Sequence, residues 1–197
     1  MPVVYLSAWH MLVTRARLGA GETALIWGAS GGLGSAAIQI AKSIGARVIA
    51  TAGGPAKVER AWALGAERVA DYQSENVVGM VRDFTDGHGA SVVFDHVGAK
   101  ATATSLDCLA RGGRLVIGGA TTGSDVGLNL MRLVANNYQI HACLIGTRAE
   151  FAAVLRLADQ GVFRPVIDRV FRFDQATDAH RRIESSEHFG KVMLSPG

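Results

Sequence analysis

Cysteine is nearly absent: only Cys108 and Cys143 occur in 197 residues, far apart in the chain. That pair excludes a disulfide framework and any CxxC metal knuckle, and it suits a reducing compartment. Runs of basic residues are also missing. The 20 Lys and Arg are scattered among 17 Asp and Glu, a formal charge of +3, with no basic stripe interleaved with aromatics. Nucleic acid is therefore not an expected partner. No apolar stretch nears the roughly 18 residues a membrane span requires, and the first residues lack the charged, apolar and cleavage regions of a secretion signal. A soluble, cytoplasmic chain with no membrane partner is the expectation. The histidines at 10, 88, 96, 141, 180 and 188 form no HExxH and no Cys/His group at ligand spacing, so no metal site is expected.

What is present is apolar and regularly punctuated. The chain is 49% hydrophobic, enough for one principal domain, and it shows no internal repeat, low-complexity tract or linker. After a helical segment from Tyr5 to about Arg17, the runs "TALIWG", "ARVIATA", "ERVADY", "SVVFDH", "GRLVIGG" and "YQIHACLIG" read as strands buried on both faces. Helical stretches lie between them at Leu33 to Ile44, Ala56 to Leu64, Glu75 to Phe84 and Ala101 to Ala110, with Gly45, Gly65 and Gly112 as stops. In the first, Leu33, Ala37, Ile40, Ala41 and Ile44 share one face, and Ser35, Gln39, Lys42 and Ser43 the other. This alternation predicts an α/β fold, a doubly wound parallel sheet in three layers. In the tail, "PVIDRVFRF" reads as a strand, Asp174 as the N-cap of a helix through about Glu184, and "GKVMLS" as a last strand. "YQIHACLIG" could be an edge strand, which needs covering or pairing with another copy.

The stretch "WGASGGLGSAAIQIAK" places Gly28, Gly31, Gly32 and Gly34 between a buried strand and a helix. Glycines there permit positive φ and close approach of backbone to a ligand, and Gly34 would let the helix settle tightly on the sheet. Unpaired amides at the helix start, reinforced by the macrodipole, suit a pyrophosphate. The spacing GxxGxxG is one residue longer than the usual dinucleotide fingerprint, and a bare structural turn is the alternative, but the strand, turn and helix context favours a dinucleotide. An NAD-preferring site carries an acid about 20 positions further on, for the ribose 2′-OH. Ala52 stands there, followed by Gly53 and Gly54, with Lys57 in the next helix as a point charge for a 2′-phosphate. NADP(H) is favoured over NAD(H), and the missing acid also argues against an S-adenosylmethionine methyltransferase.

In order, "YLSAWHML", "GASGGLGSAAIQIAK", "GARVIATAGG", "LGAERVADY", "VVFDHVG", "GGRLVIGGATTG" and "HFGKVML" resemble the cofactor-binding Rossmann half of medium-chain dehydrogenase/reductases, of the zinc-type alcohol dehydrogenase and quinone oxidoreductase kind. The resemblance covers essentially the whole chain. It implies an NADP(H)-dependent oxidoreductase that moves hydride between nicotinamide and a carbonyl, alcohol or conjugated alkene. It also implies that Gly28, Ser30, Gly31, Gly32, Leu33 and Gly34 line the pyrophosphate. Gly53, Lys57 and Tyr72 would surround the adenosine ribose and its phosphate, with Tyr72 equally readable as a half-buried strand-end aromatic. Asp95, His96 and Val97 end a strand on the crevice side, where His96 could instead be a capping or surface histidine. Gly118, Gly119 and Ala120, with Leu144, Ile145 and Gly146, would meet the nicotinamide carboxamide, and Gly190 and Lys191 form a late contact.

In such enzymes "YLSAWHML" follows a separate catalytic domain, whereas here it begins at Tyr5. The resemblance thus implies a cofactor domain over 1–197, with a leading helix over 1–20 and a segment over 163–197 that would contact a catalytic domain. Zinc-dependent relatives often carry a metal-binding Cys or Asp where Val3 and Val4 stand. An apolar patch around Trp9 and Met11 would then be exposed. Binding without efficient turnover is the expectation. The alternatives are a complete short oxidoreductase with a proton relay drawn from Ser7, His10, Tyr72 or His96, and a non-catalytic NADPH-binding sensor or scaffold. Homodimerisation through the edge strand is possible by the same resemblance.

Overall fold

The computed structural model describes residues 2–196. Strands β1 (Thr23–Ile26), β2 (Arg47–Ala52), β3 (Arg68–Asp71), β4 (Ala90–Asp95), β5 (Leu109–Ile117) and β6 (Gln139–Ala142) pair in parallel in the order β3-β2-β1-β4-β5-β6. This is the doubly wound order. The strand sequence reverses between β1 and β4, so a crevice opens at their C-terminal ends.

Side-chain alternation along the strands feeds two cores. Ala24, Ile26, Val48, Ala50, Val92 and Phe94 face one side, against the leading helix α1 (Pro2–Trp9), α2 (Gly32–Ile44) and, through Val154, a late helix at Arg148–Asp159. Leu25, Ile49, Val93 and Leu115 face the other. There they meet Val81 of α4 (Val77–Phe84) and Leu106 of α5 (Ala99–Cys108), while α3 (Pro55–Ala63) follows β2 on the first side. Each Val, Leu, Ile or Phe side chain among them contributes about 1.5 to 3 kcal/mol on full burial, which is why both faces read as continuous apolar runs. The three-layer α/β/α arrangement is the one the sequence predicts. No described helix is long and apolar enough to cross a membrane.

Several local readings are corrected. The leading helix begins at Pro2 and, from His10 to Arg15, widens into a π turn in which the Ala16 amide donates to the Met11 carbonyl at 2.9 Å. Met11, inside that turn, is fully buried and Trp9 is half-buried, so the apolar patch expected around them is largely covered. Ser35 is buried rather than solvated, because α1 packs across that face of α2. Gly112 does not stop a helix: α5 ends at Cys108 and runs directly into β5, where Gly112 takes φ +74°. Two helices had no counterpart in the sequence reading, α6 (Leu130–Asn136) and α7 (Arg148–Asp159), the second opened by a reciprocal Thr147/Glu150 capping box.

The tail forms its own parallel pair, β7 (Ile167–Arg172) with β8 (Lys191–Ser195), bridged by α8 (Ala176–Glu184). Asp174 is not the N-cap. It lies inside a 3-10 turn, Phe173–Gln175, and pairs with Arg172 at 3.2 Å, leaving Gln175 at the cap. Asp168 ties this tail to α3: its carboxylate accepts from Arg182 Nε at 3.0 Å, from Arg60 at 3.5 Å and from the Phe189 amide at 3.1 Å. The Arg182 hydrogen bond leads in holding that carboxyl at about 2, against an ordinary 3.8. A depressed carboxyl contributes stability that is whole above its unfolded pKa and is lost as pH falls toward the folded one. Asp168→Asn is therefore expected to cost about 3 kcal/mol at neutral pH and clearly less near pH 2.5, read from urea unfolding at both. An equal loss at both would contradict this role.

Candidate cofactor site

β1 delivers the chain through Trp27 into a turn where positions 28 and 34 have no room for a side chain. Gly28 takes φ +65°, and a Cβ there would stand 2.9 Å from His96 Cε1. At Gly34 a Cβ would lie 2.7 Å from the Gly28 carbonyl carbon and closer still to its oxygen. The first turn of α2 thus rests backbone on backbone against the outgoing strand. Thr51 of β2 fixes the far side, accepting from the Gly28 amide through Oγ1 at 3.2 Å and from the Ala29 amide through its carbonyl at 2.8 Å.

The N-cap of α2 is Gly31, and no side chain caps the helix. The amides of Gly32, Leu33 and Gly34 are first-turn donors without intrahelical acceptors, at the positive end of the macrodipole. Lys191 lays its chain across the first of them: a Cβ at Gly32 would come within 3.1 Å of Lys191 Cγ and closer to Cδ. The approach is fixed by the main chain, since the Gly190 amide donates to the Ser30 carbonyl at 2.7 Å and Gly31 bridges Gly190. An uncapped helix start with a lysine beside it is built for an anion.

The ends of β4 and β5 close the crevice. His96 is half-buried under Gly28, edge-on to Phe94, and burial lowers its pKa, which keeps the ring neutral near pH 7. Among the described residues His96 Nε2 and Trp27 Nε1, like Arg114 Nε and His188 Nδ1 elsewhere, are buried without a hydrogen-bond partner, so two polar atoms at this crevice are open to one. Asp95, expected at the cofactor, instead turns its buried carboxylate inward, accepting from the amides of Val97 at 2.8 Å and Gly98 at 3.2 Å and from Ser105 Oγ at 3.0 Å. Its part is to pin the turn that carries Val97. Gly118 and Gly119 run past this turn, where a Cβ would strike Met11 Cε at 2.8 Å and the His96 carbonyl at 2.9 Å respectively, and Ala120 follows exposed. Leu144, Ile145 and Gly146 leave β6 beside β5, held by the Cys143 amide on the Ile117 carbonyl at 2.9 Å.

At the end of β2, Ala52 is fully buried and Gly53 sits under Tyr72, whose hydroxyl would be 2.8 Å from a Cβ there. Gly53, Lys57, Tyr72 and Ser186 border a groove of about 420 Å³. Lys57 donates to the Ser186 carbonyl. Burial and then Arg182 lower its pKa, and Glu187 pushes the other way. Glu187 also borders the groove, its carboxylate held by Arg182 at 2.9 Å. The relay candidates are dispersed: Ser7 lies on α1, His10 engages Glu150 at 2.8 Å, Tyr72 covers Gly53 and His96 underlies Gly28. The sequence reading missed Thr51, Trp27, Lys100 and Thr122. The last three border a second cavity of about 360 Å³ with Ser30 and Val97. Only Thr51 carried a signal, as a polar residue inside a buried run.

This fold and turn define a Rossmann dinucleotide-binding domain. The profile of the family described as zinc-binding dehydrogenase matches residues 32–160, and the chain belongs to that family, as the cofactor-binding portion of a medium-chain dehydrogenase/reductase. It is similar to the quinone oxidoreductase of Pseudomonas aeruginosa, 33% identical over 200 residues, 97% of this chain and 62% of that protein. It is also similar to a phenolphthiocerol/phthiocerol polyketide synthase of Mycobacterium tuberculosis, 34% identical over 203 residues, 98% of this chain and 9% of that protein. A crystal structure of an NAD-dependent alcohol dehydrogenase superposes with TM-score 0.93 at 36% identity, over 100% of this chain and 57% of that one. The chain spans little more than half of the two dehydrogenase-like relatives and a small part of the synthase. The family name implies zinc, but among the described residues no group of three or more His, Cys, Asp or Glu could hold a metal ion, so the residues present do not fit such a centre.

The turn makes a sharp expectation. Gly34→Ala sets side chain against backbone and should cost about 3 kcal/mol or more, whereas Gly32→Ala displaces only the flexible Lys191 chain and should cost much less. Thermal unfolding of the two variants checks this, and equal melting temperatures would contradict it.

Proposed function

We propose that this chain binds NADP(H) along the C-terminal edge of its sheet and that, in the whole enzyme, the nicotinamide exchanges hydride with a carbonyl, alcohol or conjugated alkene. The observation that carries the reading is the uncapped first turn of α2, with three free amides, Lys191 lying across Gly32, and glycines at 28 and 34 where a side chain would clash. A pyrophosphate fits those donors. The adenosine end falls to the groove of Gly53, Lys57 and Tyr72. Ala52 offers no carboxylate to a ribose 2′-OH, and Lys57 supplies a cation for a 2′-phosphate. His96 and Val97, Gly118 to Ala120 and Leu144 to Gly146 would then orient the nicotinamide.

The cofactor supplies the hydride; the protein binds, orients and excludes water. The described residues offer a clamp and no converged proton relay among the candidates, so we assign this chain binding without efficient turnover when alone. The substrate-side domain would dock on the tail over 163–197, where Val170, Met193 and Leu194 of the β7–β8 pair are 56%, 42% and 43% exposed.

Calorimetric titration with NADPH and NADH, on the chain and on Lys57→Ala, tests the cofactor choice. NADPH should bind more tightly, and the substitution should weaken it about tenfold, roughly 1.4 kcal/mol, while sparing NADH. Equal affinities indifferent to the substitution would overturn the NADP(H) preference.

A further inference from the structure

One carboxylate joins the leading helix to α7. Glu150 Oε1 faces His10 Nδ1 at 2.8 Å and accepts from Thr14 Oγ1, while Oε2 accepts from the Thr147 amide at 2.6 Å. The Glu150 amide in turn donates to Thr147 Oγ1 at 3.2 Å. The His10 and Glu150 side chains are only 19% and 13% exposed. Burial by itself would raise the Glu150 carboxyl, but the hydrogen bonds from Thr14, the Thr147 amide and His10 outweigh it and hold the group at about 2.

The segment just before this knot is strained. Ile145 takes φ +53°, a left-handed conformation that a β-branched residue avoids, and it is 45% exposed, so deep burial does not hold it there. Such a conformation persists only where the surroundings over-determine it, and it concentrates where a ligand is met. The surroundings are visible on both sides of Gly146, where a Cβ would stand 2.7 Å from Leu6 Cδ1 and 3.0 Å from Glu150 Oε2. Leu6 belongs to α1, and His10 and Thr14 to the π turn that continues it. That widened turn, a feature frequent at functional sites, directs His10 and Thr14 at Glu150 and also carries Met11 against Gly118. One irregular turn therefore supports both backbone segments assigned above to the nicotinamide end.

We propose that Glu150 is a positioning residue: clamped by His10, Thr14 and Thr147, it locks the strained Ile145 turn so that the backbone of Leu144 to Gly146 is presented to the carboxamide of the nicotinamide. The inference rests on the NADP(H) reading of the same site. It predicts a division within one ligand, because the clamp lies far along the sheet edge from the Gly53 and Lys57 groove, at β6 rather than β2.

The test compares NADPH with 2′,5′-ADP, which lacks the nicotinamide, on the full chain and on Glu150→Gln and Thr14→Val. Affinity is read by calorimetry and the nicotinamide environment by NADPH fluorescence. Each variant should weaken NADPH about tenfold, as expected for lost hydrogen bonds to a charged group, and reduce the fluorescence change on binding, while leaving 2′,5′-ADP affinity within twofold. Thr14→Val removes one donor and keeps the carboxylate, so it serves if Glu150→Gln fails to fold. Equal losses for both ligands, or folded variants with unchanged NADPH affinity and fluorescence, would overturn the clamp while leaving the dinucleotide reading intact. An unmodified chain that binds neither ligand would overturn the dinucleotide reading and this inference with it.

Discussion

The backbone of α2 lies so close to the Gly28 carbonyl that position 34 cannot carry a side chain. From that contact follows the rest of the crevice. A helix brought in at backbone distance directs its first amides along the end of β1, and the Gly28 conformation it requires leaves just the space that His96 occupies from the neighbouring strand. The Gly190 amide then closes on the Ser30 carbonyl, which brings Lys191 across the helix start. Strand order supplies the place, because β1 and β4 flank the reversal in the sheet. The glycine contact supplies the geometry.

Different forces hold the frame and the loops that carry the site. The frame is apolar: β1 is wholly buried, and its alternating residues feed cores on both faces. The loops are held by polar knots. Asp95 pins the turn after β4, Asp168 ties the β7–β8 tail to α3 and α8, and Glu150 ties α7 to the leading helix. Each carboxylate is satisfied by several donors, so removing the carboxylate leaves those donors unpaired at once. Apolar packing tolerates small adjustments of position, whereas a carboxylate with donors on both oxygens fixes direction, which loops that meet a ligand require.

The legible parts of the fold were those whose cause is local. Continuous apolar runs announced the six parallel strands because burial on both faces removes polar alternation, and Gly34 was readable because a glycine one turn into a helix has few other uses. The illegible parts depend on contacts distant in sequence. The inward turn of Asp95 is set by Ser105 and by the amides of Val97 and Gly98. Lys57 meets the Ser186 carbonyl only because the tail folds back over α3. The π turn has no compositional signature. Asp174 carried a sound N-cap signal, yet Arg172 drew its carboxylate away. The capping box at Thr147 and Glu150 was a readable local signal for α7, but the carboxylate's second engagement, with His10 and Thr14, was not.

The central claim is that the first-turn amides of α2 hold a pyrophosphate, and amide-resolved NMR during a titration with ADP-ribose addresses it without reference to nicotinamide or turnover. The account predicts that the amide signals of Gly32, Leu33 and Gly34 move most and saturate together. If those three stay in place while saturable shifts gather elsewhere on the chain, the account is contradicted.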